Sequence, residues 1–277
     1  MTTLMDEAVA AALELATGGR WERARTLLDA AQEEARTADD RARIAMAAAQ
    51  TALDQDWWVG TDGAEDRLAA AEKAGARGWE VEFLRLRNDY LRLIHPVGES
   101  FQPGPWGKDP AAIADAERRG KRLRETAPGP VEAGWAEMYL GLIADNLRAD
   151  REAAPAHYEA ALAAAGGDDL LAREALRHLG DHDHDRGDHA AALDRWQRAT
   201  ALGAGAGQVT GTLSQLLLLA VLARDSGDEA AANAIAAEVA RWAQALGAIR
   251  VRDNAIGFLS GVDPTAAPDE ASPAATA

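Results

Sequence analysis

The stretch Gly187-Asp-His-Ala-Ala-Ala192-Leu-Asp-Arg-Trp196-Gln-Arg-Ala199 carries the pattern that decides the fold. A small residue is followed by a large apolar residue four positions later, and by a second small residue three positions after that. These spacings place the three side chains on one face of a helix, where small side chains let a neighbouring helix approach closely. The stretch therefore predicts a tightly packed helix.

The same pattern recurs along the chain at near-constant spacing. Its other occurrences are Ala24, Leu28 and Ala31; Ala64, Leu68 and Ala71; Ala154, Tyr158 and Ala161; and Ala232, Ala236 and Val239. Successive first members lie 40, 90, 38 and 40 residues apart, and 90 fits two stretched units. Such a period is typical of stacked repeats, in which each unit buries its apolar face only against its neighbours. We therefore expect an all-α solenoid of about six antiparallel helix hairpins joined by short turns.

Composition agrees with an all-α protein and limits the partners. Apolar residues make up 48% of the 277-residue chain but aromatic residues only 5%, and much of the apolar total is alanine, the best helix former. With 29 Lys and Arg against 45 Asp and Glu, the net charge is −16. So acidic a chain repels nucleic acid and anionic membranes, and we expect neither as a partner. The charge would steer in a basic peptide or protein, although a solvated acidic exterior needs no partner.

Cysteine usage and apolar runs bear on chemistry and location. No cysteine occurs, which excludes disulfides, thiolate metal sites and cysteine nucleophiles. The first residues lack the basic segment of a secretory signal, and the longest apolar run, residues 216–223, is far shorter than the ~20 residues that span a bilayer. We therefore expect a cytoplasmic protein. Its three lysines among many arginines and alanines indicate a GC-rich, bacterial genome.

The chain divides into one long domain and a tail. We expect a helical-repeat domain over residues 1–261 and a disordered tail over residues 262–277, because no large apolar side chain follows Val262. Within the domain, the segment 95–109 contains three prolines and three glycines and cannot be a helix. A loop of this length between stacked helices is more often functional than an ordinary connection.

Specific residues make the chain similar to a known repeat family. Leu140-Gly141 and Leu179-Gly180 match the Leu-Gly pair of the tetratricopeptide repeat, and the stretch 187–199 places its turn glycine, small residue, aromatic and closing alanine as that repeat does. The resemblance covers nearly all of residues 4–247, with a period near 40 as in the longer variants of bacterial regulators. It is lost in most of the third unit, and Asp183 stands where the repeat has an aromatic residue. The resemblance implies a right-handed superhelix whose concave face binds peptides, proteins or small effectors.

The segment 178–189 is chemically unusual, since it holds four of the six histidines. At 100° per residue, His178, Asp181, His182 and Asp185 fall within an arc of about 100°. Two imidazoles at i and i+4 with a nearby carboxylate suit zinc or nickel, so His178, His182 and Asp185 are candidate ligands of a metal-binding protein or enzyme. A solvated rim, or a site for an organic or peptide ligand, explains the same residues without an ion.

The register of the repeat family also implies a binding groove. The side chains expected to line it are Glu174, Arg177, Asp181, His184 and Asp185 in the fifth unit, Arg224 in the sixth, and Trp106 from the long loop. We therefore predict a non-catalytic adaptor or sensor that binds a peptide, a protein or a small effector on this face, without catalytic residues or a resident cofactor. A metalloprotein or enzyme that uses segment 178–189, and a purely structural oligomerisation module, are the alternatives.

Overall fold

The computed structural model describes residues 4–96 and 101–265, which form thirteen α-helices and no strand. The first six helices are α1 (Leu4–Thr17), α2 (Trp21–Glu34), α3 (Ala38–Val59), α4 (Ala64–Lys73), α5 (Trp79–Ile94) and α6 (Pro110–Glu125). The other seven are α7 (Pro130–Asn146), α8 (Ala154–Ala164), α9 (Asp169–Asp185), α10 (His189–Gly205), α11 (Val209–Asp225), α12 (Glu229–Leu246) and α13 (Ile249–Leu259). The all-α prediction is confirmed.

Local chemistry explains where these helices begin and end. Asp168, Asp188 and Asp228 precede α9, α10 and α12, and each side chain accepts a hydrogen bond from a backbone N–H of the first turn. Gly60 ends α3 in the left-handed conformation that glycine adopts without strain. None of the helices in the described part of the chain has the length and apolarity needed to span a membrane.

The recurring small–large–small residues are packing residues. All fifteen lie on even-numbered helices, and the most exposed of them, Ala31, is only 7% exposed. Trp196 and Tyr158 are fully buried, as are the small residues on either side of them. The pattern thus marks the faces along which α2, α4, α8, α10 and α12 bury their side chains.

The two Leu-Gly pairs have a direct steric reason. A Cβ atom on Gly180 of α9 would lie 2.5 Å from the Trp196 ring of α10, and one on Gly141 of α7 would lie 2.5 Å from the Tyr158 ring of α8. Real Cβ atoms do not approach other atoms so closely, so each glycine creates the space that the facing aromatic ring fills. The pairing of glycine with an aromatic residue on the next helix is therefore one structural unit.

Helices that are consecutive in sequence pack against one another, and several odd-numbered helices also contact the next odd-numbered one, such as α1 with α3 and α7 with α9. The ends of the chain meet as well, because α13 packs against α3 and one apolar core contains residues of α1–α3 together with residues of α11–α13. The expectation that each unit packs only against its sequence neighbours therefore does not hold at the two ends. The last helices close back onto the first.

Two further segments carry aromatic residues. Trp57 and Trp58 lie in the last turn of α3. The long loop is tied down where it is described: Gln102 N donates to Ile94 O at 2.8 Å, and Gly104 N donates to Asn146 O at 2.7 Å. Residues 97–100 of that loop, and residues 266–277 of the expected tail, lie outside the described residues.

Candidate ligand cavity

The odd-numbered helices line a cavity of about 1920 Å³ that is open to solvent on part of its surface. Side chains of α1, α3, α5, α7, α9, α11 and α13 line it together with connecting segments, whereas no residue of an even-numbered helix does. We call the odd-numbered helices the inner helices and the even-numbered ones the outer helices. Pro264 and Thr265, which follow α13, also reach the lining. Small-molecule sites usually occupy about 300–1,000 Å³, so this cavity has room for a peptide segment or a large effector.

One side of the cavity is aromatic, and we call it the aromatic wall. Nine of the fourteen aromatic residues of the chain belong to the lining. They are Trp57, Trp58, Trp79, Phe83, Tyr90, Phe101, Trp106, Trp135 and Tyr139. Phe83 stacks on Trp79 at 4.8 Å and meets Tyr139 edge-on at 5.4 Å, and these rings continue through Tyr90 to Trp57. Rings at these separations stabilise one another, so the wall is set before any ligand arrives.

A charged pair interrupts the aromatic wall. Arg87 Nη2 lies 3.0 Å from Asp54 Oδ1, and Arg87 Nε donates to the hydroxyl of Tyr139 at 3.2 Å. Burial by itself lowers the pKa of Arg87, but Tyr139 and Asp54 outweigh it and raise that pKa above its usual value. Arg87 therefore stays cationic and holds Tyr139 in place.

At the Trp57 end of the aromatic wall, Arg250 joins α13 to α3. Arg250 Nη1 donates to the carbonyls of Asp56 at 2.9 Å and Trp57 at 2.7 Å, which belong to the last turn of α3. The Asp56 carbonyl also accepts from Gly60 N at 3.0 Å, so Arg250 is a second donor to it, and a cation at this helix end complements the helix dipole. Among the described residues no carboxylate forms an ion pair with Arg250, although the charge of Asp56 acts on it, and Arg250 places a cation in the cavity lining.

The ring of His95 lies between Trp57 at 6.1 Å and Phe101 at 5.3 Å, and its Nδ1 is buried without a hydrogen-bond partner among the described residues. Burial, with a smaller contribution from the positive charge of Arg250, lowers the pKa of His95 to about 4. His95 is therefore neutral at physiological pH and offers the cavity an uncharged polar ring beside the cation.

Another part of the cavity lining carries the charged residues that the sequence singled out. Glu174, Arg177, Asp181, His184 and Asp185 all belong to the lining, and all come from α9. Asp185 pairs with Arg151, and Arg177 Nη1 lies 3.6 Å from Asp181 Oδ2. Most of these carboxylates thus already have a cationic neighbour within the protein.

Asp181 is not the freely exposed carboxylate that the sequence suggested. Its Oδ1 accepts a hydrogen bond from Trp196 Nε1 at 3.1 Å, so it supports the packing of α10 against α9. Burial raises the pKa of Asp181, and the facing Arg177 opposes that rise. Replacing Asp181 would therefore disturb packing as well as charge.

The other two expected lining residues differ in position. Trp106 belongs to the lining and is 58% exposed, with its ring lying on Gly104. Arg224 lies outside the lining, because its guanidinium stacks on Phe258 at 3.6 Å and donates to Glu229 at the start of α12. Arg224 therefore joins α11 to α12 and α13 rather than facing a ligand.

The three candidate metal ligands have separate partners. His182 Nε2 lies 3.0 Å from Asp145 Oδ2, which also accepts a hydrogen bond from Tyr158 at 3.2 Å, while Asp185 pairs with Arg151. His178 Nε2 accepts a hydrogen bond from Arg177 at 3.0 Å. Burial and the neighbouring arginines lower the pKa of His178 well below its usual range. The structure thus gives these side chains polar partners on α7, on α9 and in the connection between α7 and α8, and does not bring the three together.

The aromatic wall was not predicted from the sequence, because the only spacing considered was that of the residues that pack helices together. Trp79, Phe83, Arg87 and Tyr90 follow one another at spacings of four, four and three, and Trp135 and Tyr139 are four apart. This spacing forms a second stripe on α5 and α7, beside the apolar stripe that faces the core. Two stripes on one helix indicate a helix with two covered or functional faces. No family model matches the chain, and a search of curated proteins finds no significant match.

Proposed function

We propose that this protein is a non-catalytic binding protein, built as a tetratricopeptide-like helical solenoid, whose inner helices hold a peptide segment or a small effector. The observation that carries the proposal is that the outer and inner helices carry different kinds of residue. The repeated packing residues lie on the outer helices, and the varied aromatic and charged residues line the inside. In helical repeats the surface that varies between units is the binding surface.

The solenoid is part of the same proposal. Successive hairpins with short turns, inner-to-inner contacts, and a glycine facing an aromatic residue in two units are what a tetratricopeptide-like stack would produce. The contact of α13 with α3 brings the last helix to the same cavity as the first ones. A bacterial, cytoplasmic effector sensor is the setting that these features fit best.

The chemistry of the cavity restricts the ligand. The aromatic wall favours flat or apolar groups, and Arg250 beside neutral His95 favours an acidic group at that end. On α9 the lining carboxylates Glu174, Asp181 and Asp185 are paired with Arg173, Arg177 and Arg151, so a basic group would bind there only by displacing one of these arginines. An aromatic or apolar ligand with an acidic end near Arg250 therefore fits best.

The test uses the anionic aromatic dye 8-anilinonaphthalene-1-sulfonate, which combines a flat ring system with an acidic group. Wild-type protein should enhance the fluorescence of the dye in a saturable titration. Phe101→Ala removes a half-exposed ring that contacts His95, and it should weaken dye binding about fivefold or more, since loss of a contacting aromatic side chain costs over ~1 kcal/mol. The matched control is Trp242→Ala, which removes a similarly exposed ring from the outer helix α12.

If the dye binds both variants as well as wild type, or only Trp242→Ala loses binding, the cavity is not the binding site and the proposal fails. Native mass spectrometry of freshly purified protein provides a second measurement. A retained small molecule or peptide that the dye displaces would identify the natural class of ligand.

A further inference from the structure

Three metal-ligating side chains meet where α9 turns into α10, beside the end of α11. His184 lies in the last turn of α9, His189 is the first residue of α10, and Asp225 is the last residue of α11. One ligand atom from each of the three lies within 4.8 Å of the others. The set differs from the trio expected from the sequence, although it shares the same histidine-rich segment.

We propose that His184, His189 and Asp225 form a binding site for a divalent transition-metal ion, with zinc as the best fit. Two imidazoles and one carboxylate are a donor set that zinc accepts, with metal–ligand bonds of about 2.0–2.2 Å. Tetrahedral coordination at those lengths places the ligand atoms about 3.3 Å apart, so the three groups need only small side-chain rotations to reach it. His184 Nε2 and Asp225 Oδ2 are already 2.8 Å apart.

The surroundings hold the first ligand in place. The ring of His184 stacks on the buried Trp196 at 5.5 Å and meets the ring of His189 at 5.3 Å. Its Nδ1 lies 3.8 Å from a carboxylate oxygen of Asp185. At that distance Asp185 is not hydrogen-bonded to the ring, so the packing against Trp196 is what holds the ring of His184, while the negative charge of Asp185 lies beside it.

The backbone of the turn fixes the second ligand. Gly187 adopts the left-handed conformation, Gly187 N donates to His184 O at 2.8 Å, and Asp188 caps α10 by accepting from Ala191 N at 3.1 Å. These bonds set the distance between the backbones of His184 and His189. Asp225 comes from a different hairpin, so an ion bound by all three would connect the fifth unit to the sixth.

The position of the site gives the ion a role. Three protein ligands leave one tetrahedral position open, and His184 belongs to the cavity lining. The ion would therefore stand at the charged edge of the cavity. It would offer a ligand a second positive centre besides Arg250. This inference does not depend on the proposed function, because metal uptake is measured without any organic ligand.

The test is isothermal titration calorimetry of the metal-stripped full chain, prepared without a histidine tag, with zinc chloride and with magnesium chloride. Zinc should bind at one ion per chain and magnesium should not, since two imidazoles are poor ligands for magnesium. His189→Ala and Asp225→Asn change exposed side chains and should each weaken zinc binding at least tenfold while leaving the helical circular-dichroism spectrum unchanged. His157→Ala is the matched control, because His157 of α8 pairs with Glu137 of α7 and belongs to no such group among the described residues.

Cobalt provides a spectroscopic readout of the same site. Wild-type protein should give the intense visible absorption of four-coordinate cobalt, and His189→Ala should lose it. Zinc should also raise the melting temperature of wild type but not of His189→Ala, because only a folded chain brings the three ligands together. No zinc uptake by wild type, equal binding of magnesium, or unchanged zinc affinity in His189→Ala would each overturn the proposal.

Discussion

The outer and inner helices of this protein differ in what their residues do. On the outer helices the same small and large apolar residues return in five of the six hairpins and are almost completely buried. On the inner helices the lining residues differ from unit to unit, from the rings of α5 and α7 to the carboxylates and histidines of α9. Close packing tolerates few side chains at a position, whereas a cavity wall tolerates many. Regularity in the sequence therefore reports the scaffold, and the departures from regularity report the site.

The largest expected effect comes from removing a ring of an outer helix. Trp196→Ala should lower the free energy of unfolding by about 3–5 kcal/mol, because it empties a fully buried site between α9 and α10. It also removes the indole N–H, which donates hydrogen bonds to Asp181 and to the Arg177 carbonyl. Urea denaturation followed by circular dichroism measures the loss. Trp242→Ala, an exposed ring, should change it by no more than about 0.5 kcal/mol. Equal losses of stability in Trp196→Ala and Trp242→Ala would contradict the conclusion that the buried repeat residues, and not exposed rings, stabilise the fold.

The next effect tests the glycine that faces this ring. Gly180→Ala should destabilise the fold by about 1–3 kcal/mol, because the new Cβ would lie 2.5 Å from the Trp196 ring. It should do so although alanine is favoured over glycine within a helix by about 1 kcal/mol. In a Trp196→Ala background the clash disappears, and the same substitution should become neutral or stabilising. Double-mutant denaturation curves measure the change of sign.

A control for that cycle is available in the same hairpin. Gly205 ends α10, and a Cβ atom there would meet nothing within 4 Å. Gly205→Ala should therefore be tolerated equally in both backgrounds. If Gly180→Ala costs the same with and without Trp196, the glycine is not paired with the ring. The steric explanation of the Leu-Gly pattern would then be wrong.

The scaffold could be predicted from the sequence because packing repeats with the unit. The all-α class, the hairpin order and the burial of Trp196 follow from apolar spacing and glycine positions, which depend on local helix geometry. On α9 the same register also placed five residues in the cavity lining. Arg224 was also expected in the lining, but its guanidinium stacks on Phe258 of α13 instead.

The rest of the site depends on contacts that no local spacing contains. Arg250 meets the carbonyls of Asp56 and Trp57 across more than 190 residues, and both Arg250 and Trp57 line the cavity. Likewise, Asp225 reaches His184 from another hairpin. Such contacts follow from how the units curve around one another. Curvature is the sum of many small rotations, so single residue patterns do not reveal it.

The smallest expected effect is a pH dependence of stability. It comes from His95 in the cavity lining, and the apolar residues of the outer helices do not contribute to it. In the unfolded chain His95 titrates near 6.5, whereas in the folded chain burial lowers its pKa to about 4. Between these values the unfolded chain binds more protons, so acidification through this window should favour unfolding, and the stability due to neutral His95 should be complete above pH 6.5. The apolar packing residues of the outer helices add no such dependence.

His95→Phe keeps a ring between Trp57 and Phe101. It should flatten the decline in melting temperature between pH 7 and pH 4.5 without abolishing it, since the pKa of His178 is lowered as well. Differential scanning calorimetry across that range measures both curves, and parallel curves for wild type and His95→Phe would show that His95 is not held neutral by the aromatic wall.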